Sequence, residues 1–331
     1  VTISYYNTFS GAIVQPATAL KGEVVETEFD VVILGSGPAG LQAAVHAART
    51  RARVAVLGKV HGSALYKAHI ENYCCMDETI SGEQMLNSGK NQAKKFGAVL
   101  LDEDVLHIEQ EVNGRFSVRL ESGDSLLTWA IILAMGVSRN RLNVPGEKEL
   151  LGKGVSYCVD CDANFYRNQV VTVVGNGSAA ASGALKLLLI AGETHLVCDA
   201  LEISEHLRYQ IESSRMEVHM GRHVSRILGD SEVRAVLLDD GTKIETGGVF
   251  IELGAKGAIE LAAGLGVALD SDTMRFVAAD EKQQTNVPGL YAAGDICGPP
   301  WQIAKAVGEG CVAGLEAATY ARRARTKAAQ G

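Results

Sequence analysis

The sequence predicts an α/β fold of two dinucleotide-binding (Rossmann-like, three-layer ββα) domains, the second inserted into the first. Three observations support this. Apolar β runs lead twice into glycine-rich turns and then helices, at Gly35-Ser36-Gly37-Pro38-Ala39-Gly40 and at Gly175-Asn176-Gly177-Ser178-Ala179-Ala180. A third run, Gly289-Leu290-Tyr291-Ala292-Ala293-Gly294-Asp295, ends far downstream in a glycine and an acid. The length, 331 residues, is long for one domain and comfortable for two.

Composition narrows the function classes. With 47% hydrophobic and 21% charged residues, a large core can form without stapling. A net charge of −8 leaves no basic footprint for nucleic acid. The short Arg322-Arg323-Ala324-Arg325 tail is expected to cap the last helix. No apolar run approaches 18 residues, which argues against a membrane span. Residues 1–28 lack the layout of a signal peptide and read as an irregular extension: a lid, a dimer arm or simple packing. Seven cysteines, an odd number, do not make a secreted disulfide framework, so a reducing cytoplasm is expected. Cys74, Cys75, Cys198, Cys297 and Cys311 are expected to be buried thiols.

In chain order, Phe29–Leu34 predicts a strand, Leu41–Thr50 an Ala-rich helix and Arg53–Leu57 a second strand. In this unit glycines permit a tight turn and close backbone approach to a pyrophosphate, and the helix N-terminus supplies N–H groups and a positive dipole end. The acid expected at the second strand's end, to hold a ribose, is replaced by Gly58 with Lys59 beside it, so the ribose must be held differently. Residues 61–76 are irregular. Ser81 and Gln84 predict a capping box opening a helix to Phe96. Asn113-Gly114 predicts a hairpin, Trp129–Leu133 a buried strand, and Asn140–Gly146 a linker. The middle region repeats the plan, with a strand at 170–174, a helix at about 179–191 and a strand at 194–198. An Asp240-Gly241 hairpin follows, and the four glycines of Gly247–Gly257 predict a second linker. Trp301-Gln302-Ile303-Ala304 begins a helix to about Ala321. The expected partition is a 1–28 extension, a discontinuous first domain of 29–141 and 254–331, and an inserted domain of 142–253.

Cys158-Val159-Asp160-Cys161-Asp162 carries the chemistry. Two cysteines separated by two residues can close a disulfide ring or open as a dithiol, and the spacing tends to lower one thiol's pKa. Asp162 would move the proton that thiol–disulfide exchange requires. No second CxxC or CxxH accompanies the pair, which disfavours zinc there, and no metal site is expected.

Four motifs in order, GSGPAG at Gly35, CVDCDANFYRNQ at Cys158, GNGSAA at Gly175 and GLYAAGDI at Gly289, resemble the low-molecular-weight thioredoxin reductases, from Phe29 to about Tyr320. The resemblance implies FAD held at its pyrophosphate by Gly35, Gly37, Pro38, Ala39 and Gly40, with Asn72 near the flavin. It implies that Gly294 and Asp295 meet the ribityl or pyrophosphate side, and that Gln302, Ile303 and Ala304 contact the ring. Cys161 would face the flavin, Cys158 would attack a protein disulfide, and Asp162 would be the acid–base. A homodimer, an inserted domain that rotates, and a thioredoxin-like partner met by Phe165 are also implied. Asn164 departs from the family's usual second aromatic.

The departures bear on the electron donor. NADPH-using members carry a His-Arg-Arg cluster and a further Arg after the second strand of the inserted domain. Here Cys198-Asp199-Ala200 and Ser204 stand instead, Ser182 and Gly183 replace an acidic pair, and His61-Gly62-Ser63-Ala64 replaces a GGQ segment. Asp199 would repel a 2′-phosphate, though it would suit the ribose hydroxyls of NADH. FAD is therefore expected and ordinary NADPH is not. Gly175, Gly177, Ser178, Ala179 and Asp199 remain a possible second nucleotide site for NADH or a second flavin. The pattern resembles the divergent branch of the family that draws electrons from ferredoxin, a deazaflavin coenzyme, a second flavin or another low-potential donor, and the sequence does not choose among them. The alternatives are an NADH-dependent or a ferredoxin-, deazaflavin- or second-flavin-dependent disulfide reductase with a non-thioredoxin partner, and a flavin redox sensor without turnover.

Overall fold

The computed structural model describes residues 27–137, 141–254, 257–271 and 275–330. The expected N-terminal extension lies outside them except for its last two residues.

In chain order the first part comprises β1 (Glu28–Leu34), α1 (Pro38–Arg49), β2 (Val54–Leu57), β3 (His69–Ile70), β4 (Ile80–Ser81), α2 (Gly82–Lys95), β5 (Val99–Leu101), β6 (Val105–Gln110), β7 (Phe116–Leu120) and β8 (Ser125–Leu133). The middle comprises β9 (Val155–Ser156), α3 (Val159–Asp162), β10 (Val170–Val174), α4 (Ser178–Leu187), β11 (Glu193–Cys198), α5 (Glu205–Glu212), β12 (Glu217–Met220), β13 (Val224–Leu228), β14 (Ala235–Leu238), β15 (Lys243–Glu245) and β16 (Gly248–Ile251). The last part adds α6 (Ala258–Ala263), β17 (Leu290–Ala292) and α7 (Ile303–Ala328).

One sheet runs β5-β2-β1-β8-β7-β6, with β17 on β8. The edge of β8 is shared: β7 pairs antiparallel with residues 125–128, and β17 pairs parallel with 131–133. The late strand thereby brings Gly294 and Asp295 beside the ends of β1 and β8. In β1, Val31, Val32, Ile33 and Leu34 are all buried because both sheet faces are covered, each contributing about 1.5–3 kcal/mol. One face packs on α1 and α7. These helices approach closely because α7 presents small residues: a Cβ on Gly310 would lie 2.2 Å from the Ala39 carbonyl oxygen, and one on Gly314 2.4 Å from that of Ala43.

The second sheet, β12-β11-β10-β16-β9, is wholly parallel. Helices α4 and α5 cover one face, and the antiparallel β13-β14-β15 sheet packs on the other. This is the expected three-layer plan.

Two glycine turns, both hairpins and the Ser81/Gln84 capping box form as expected. Four differences have physical causes. The Gly247–Gly257 linker is wrong in its centre: Gly248–Ile251 is the buried strand β16 between β10 and β9. Its glycine makes room for Tyr166, whose ring would lie 2.5 Å from a Cβ at Gly248. Helix α4 stops at Leu187, short of the expected 191. Helix α7 continues past Ala321 to Ala328, so the arginine tail is helical, and Arg325 reaches the buried Asp30 carboxylate at 2.8 Å. Cys74 and Cys75 are exposed, not buried, because residues 71–79 form an irregular surface loop; Cys198 is buried as expected, and Cys297 and Cys311 are only half-buried.

Candidate active site

Strand β9 ends at the buried Ser156 and delivers Cys158 as the N-cap of α3. Residues three apart on one helical turn lie together, and Cys158 and Cys161 are joined as a disulfide. The Cys161 N–H donates to Cys158 Sγ at 3.1 Å, an interaction that favours negative charge on that sulfur once the bond opens. Cys158 is half-buried and Cys161 exposed. Ser156 Oγ donates to Asp162 Oδ2 at 2.6 Å and accepts from the Cys158 N–H at 3.0 Å, tying the acid to the base of the dithiol turn. From the end of β16, Glu252 accepts the Val159 N–H at 2.9 Å. Lys186 of α4 pairs with Asp160. Beyond the turn, Phe165 is 76% exposed and Asn164 exposed beside it, a surface that another protein can meet. Sequence reasoning missed Ser156 and Glu252. Their only local signal is a polar residue at the end of an apolar strand.

The first glycine turn, the expected cofactor cradle, lies where β1, β8 and β17 end. A Cβ on Gly35 (φ 115°) would meet the Ala134 carbonyl oxygen at 2.3 Å, and one on Gly40 the Gly35 oxygen at 1.8 Å, so both positions require glycine. Gly37 differs: a Cβ there would meet only Ser63 Oγ within 4 Å, at 3.5 Å. Helix α1 starts at this turn with Pro38 at its first position and no side chain capping it. An uncapped helix N-terminus facing open space fits a dinucleotide pyrophosphate. Asp295 follows Gly294 (φ 89°); burial raises its carboxyl pKa, Lys305 opposes the shift and Glu309 adds to it. Lys305 donates to the Gly294 carbonyl at 2.9 Å and Glu309 accepts its N–H at 2.8 Å, which fixes this turn against α7. Asn72 Nδ2 donates to Gln302 Oε1 at 3.2 Å, joining the residue expected near the flavin to an expected ring contact 230 residues later. Ile303 and Ala304 follow in the first turn of α7.

Lys59, next to the Gly58 that stands where a ribose-binding acid was expected, lies 2.8 Å from Glu121 and 3.1 Å from Asp104. Burial works against its charge, but the hydrogen bonds and charges of Glu121 and Asp104 win and raise its pKa above the ordinary lysine value.

The second glycine turn has the same scaffold but a different interior. A Cβ on Gly175 would meet the Glu252 carbonyl oxygen at 2.0 Å, as Gly35 meets Ala134. At Gly177, however, the Gly254 oxygen lies only 2.7 Å from a Cβ, and that oxygen accepts the Ala179 N–H at 3.3 Å. Ser178 is fully buried and donates to Asp104 Oδ2 at 2.7 Å. Ser204, at the family's arginine position, caps α5 and donates to the Glu121 carbonyl oxygen at 2.6 Å. Asp199 stands exposed past the end of β11, its N–H held by Asn176. Sequence reasoning missed Asp104, Glu121 and Gly254 as neighbours of this turn, since each comes from a distant segment.

The family model for pyridine nucleotide-disulphide oxidoreductases matches residues 29–310. A thioredoxin reductase of Treponema pallidum (strain Nichols) is 32% identical over 307 residues, covering 89% of this chain and 98% of the relative. Among solved structures, the atypical thioredoxin reductase of Desulfovibrio vulgaris Hildenborough superposes with a TM-score of 0.78 at 37% identity, covering 89% of this chain and 98% of that one. A ferredoxin-flavin thioredoxin reductase of Clostridium acetobutylicum gives 0.64 at 31% identity, covering 89% and 99%.

Proposed function

The chain belongs to the pyridine nucleotide-disulphide oxidoreductase family and is a thioredoxin reductase-like flavin disulfide oxidoreductase; on that footing we propose that it reduces a thioredoxin-like protein disulfide with electrons that do not come from NADPH. The observation that carries the reading is the Cys158–Cys161 disulfide on an accessible helical turn, with Asp162 anchored to Ser156 behind it.

FAD would be held by Gly35, Gly37, Pro38, Ala39, Gly40, Asn72, Gly294, Asp295, Gln302, Ile303 and Ala304, within a unit of residues 29–141 and 254–331 around the inserted 142–253. When bound, it supplies a two-electron carrier. The chain's residues do the rest. In the reduced pair, the Cys161 N–H favours thiolate at Cys158, the sulfur assigned to attack the partner disulfide. The partner's first sulfur leaves as a thiolate and takes a proton, and Cys161 then attacks the mixed disulfide and releases the second. Asp162, held by Ser156, delivers and accepts these protons. Phe165 gives the partner an aromatic anchor.

The interior of the second glycine turn supports a donor other than NADPH. Asp104 brings a carboxylate to the start of α4, where a dinucleotide would bring its pyrophosphate, and Asp199 offers a 2′-phosphate repulsion. Reduced ferredoxin or another low-potential carrier fits this arrangement, and the Clostridium acetobutylicum neighbour is named for such a donor. NADH is the second reading, favoured only by Asp199. A Cys158→Ser variant tests the core: disulfide reduction should stop while the flavin remains bound, and retained turnover would refute the reading.

A further inference from the structure

A second cluster of ligating side chains lies at the edge of the five-stranded sheet opposite β9, the strand that leads into the disulfide, three to four strand spacings or roughly 14–19 Å across the sheet. His195 on β11 and His219 on the edge strand β12 are largely buried, with side chains 8% and 15% exposed. In a parallel pair the register sets His195 opposite Glu217 and Val197 opposite His219, so the three polar side chains share one sheet face. His195 Nδ1 lies 3.1 Å from His219 Nε2 and 3.5 Å from Glu217 Oε2, and His219 Nε2 lies 3.7 Å from Glu217 Oε1.

We propose that His195, His219 and Glu217 form a site for a divalent first-row transition-metal ion, of which zinc is the probe. Around a tetrahedral ion with metal–ligand distances near 2.1 Å, neighbouring donor atoms lie about 3.4 Å apart; the two nitrogens are 3.1 Å apart and each has one oxygen of the Glu217 carboxylate at 3.5 or 3.7 Å. Two imidazoles and a carboxylate suit zinc or cobalt over magnesium and calcium, which prefer all-oxygen sets. The other ring nitrogen of His195 faces Glu193 Oε1 at 3.2 Å. A carboxylate there holds the proton on Nε2 and leaves the Nδ1 lone pair directed inward, the usual support for a ligating histidine. A hydrogen bond between the two rings accounts for one contact, with the Glu217 oxygens 3.5 and 3.7 Å from the two nitrogens; a cation accounts for all three. Thr172, the register partner of His195, adds a fully buried hydroxyl with no hydrogen-bond partner among the described residues. The ion would clamp the edge strand β12 to β11 and take no part in the disulfide chemistry.

The test uses the oxidised, FAD-loaded full chain, so that Cys158 and Cys161 cannot bind metal. After chelation and desalting, it is titrated with Co²⁺ and then Zn²⁺. One Co²⁺ per chain should bind with the visible bands of a four-coordinate nitrogen–oxygen site, and Zn²⁺ should displace it. Binding should weaken at least tenfold in His219→Gln and in Glu217→Gln. It should be unchanged when the exposed Cys74 and Cys75 are both serine. Should His219→Gln fail to fold, Glu217→Gln decides, because that side chain is 59% exposed. No stoichiometric binding, unchanged affinity in Glu217→Gln, or loss of binding with the two surface cysteines would overturn the proposal.

Discussion

The Ser178 hydroxyl, at the first position of α4, donates a 2.7 Å hydrogen bond to the Asp104 carboxylate, 74 residues earlier in the chain. Asp104 in turn meets Lys59, so the start of the second glycine-turn helix is anchored to the end of the first sheet. Replacing Asp104 by Ala should leave Lys59 with Glu121 alone and cost about 1–3 kcal/mol, read from the urea midpoint. The raised Lys59 pKa gives the sign with pH. Its stabilising contribution is complete below the ordinary lysine value of 10.5 and is lost as pH rises through the higher folded value. The deficit of a Lys59→Met variant should therefore be the same at pH 7 and pH 9. A deficit that shrinks over that range would contradict this assignment.

Ser156 Oγ donates to Asp162 Oδ2 beside the dithiol, and on the proposed function this pair handles the protons of disulfide exchange. Asp162→Asn should slow disulfide exchange by about 10²-fold while the flavin content and the Cys158–Cys161 disulfide persist. Ser156→Ala should give a smaller loss, about 1 kcal/mol in stability and a lower turnover. Stopped-flow reduction of a thioredoxin-like substrate separates the two effects.

The two glycine turns should respond oppositely to one methyl group. Gly37→Ala places its Cβ in ordinary contact with Ser63 Oγ alone, so folding should be unaffected while FAD is lost, giving a colourless protein with an unchanged urea midpoint in the apo form. Gly177→Ala meets the Gly254 carbonyl and should cost about 1–3 kcal/mol without displacing FAD. Flavin content per chain and the denaturation midpoint together read both outcomes.

Thiol labelling should follow exposure. In the oxidised protein, Cys74 and Cys75 should react fast with an uncharged disulfide reagent at pH 8. Burial, with Glu309 adding and Lys305 opposing, pushes the Cys297 thiol up to about 12, and burial followed by Asp199 raises that of Cys198. Both should stay protonated and slow until the chain unfolds. Reduction should add Cys158 and Cys161 to the fast class, a gain that mass spectrometry of labelled peptides would locate.

What was legible in the sequence was local. A glycine turn between a β run and a helix, a Ser-x-x-Gln box and a Cys-x-x-Cys spacing are each written within a few residues, and each formed as read. The Gly247–Gly257 segment misled because glycine marks both linkers and close approaches, and only the Tyr166 ring above Gly248 distinguishes them. Cys74-Cys75 looked like core because thiols are apolar, yet no periodic element carries them inward. Ser156, Glu252 and Asp104 could not be found by spacing at all. Their roles come from pairings with Asp162, Val159 and Ser178, and the longest of these spans 93 residues.

The most direct test of the central claim is an anaerobic titration of the oxidised, FAD-loaded protein, following the visible flavin absorbance. NADPH and NADH are added in turn, and then reduced ferredoxin or dithionite. Neither nucleotide should bleach the flavin and the low-potential donor should bleach it fully, followed by stoichiometric reduction of an added thioredoxin-like disulfide. Rapid, stoichiometric bleaching by NADPH would contradict the claim, because the turn bounded by Ser178, Asp104 and Gly254 would then admit a nicotinamide dinucleotide.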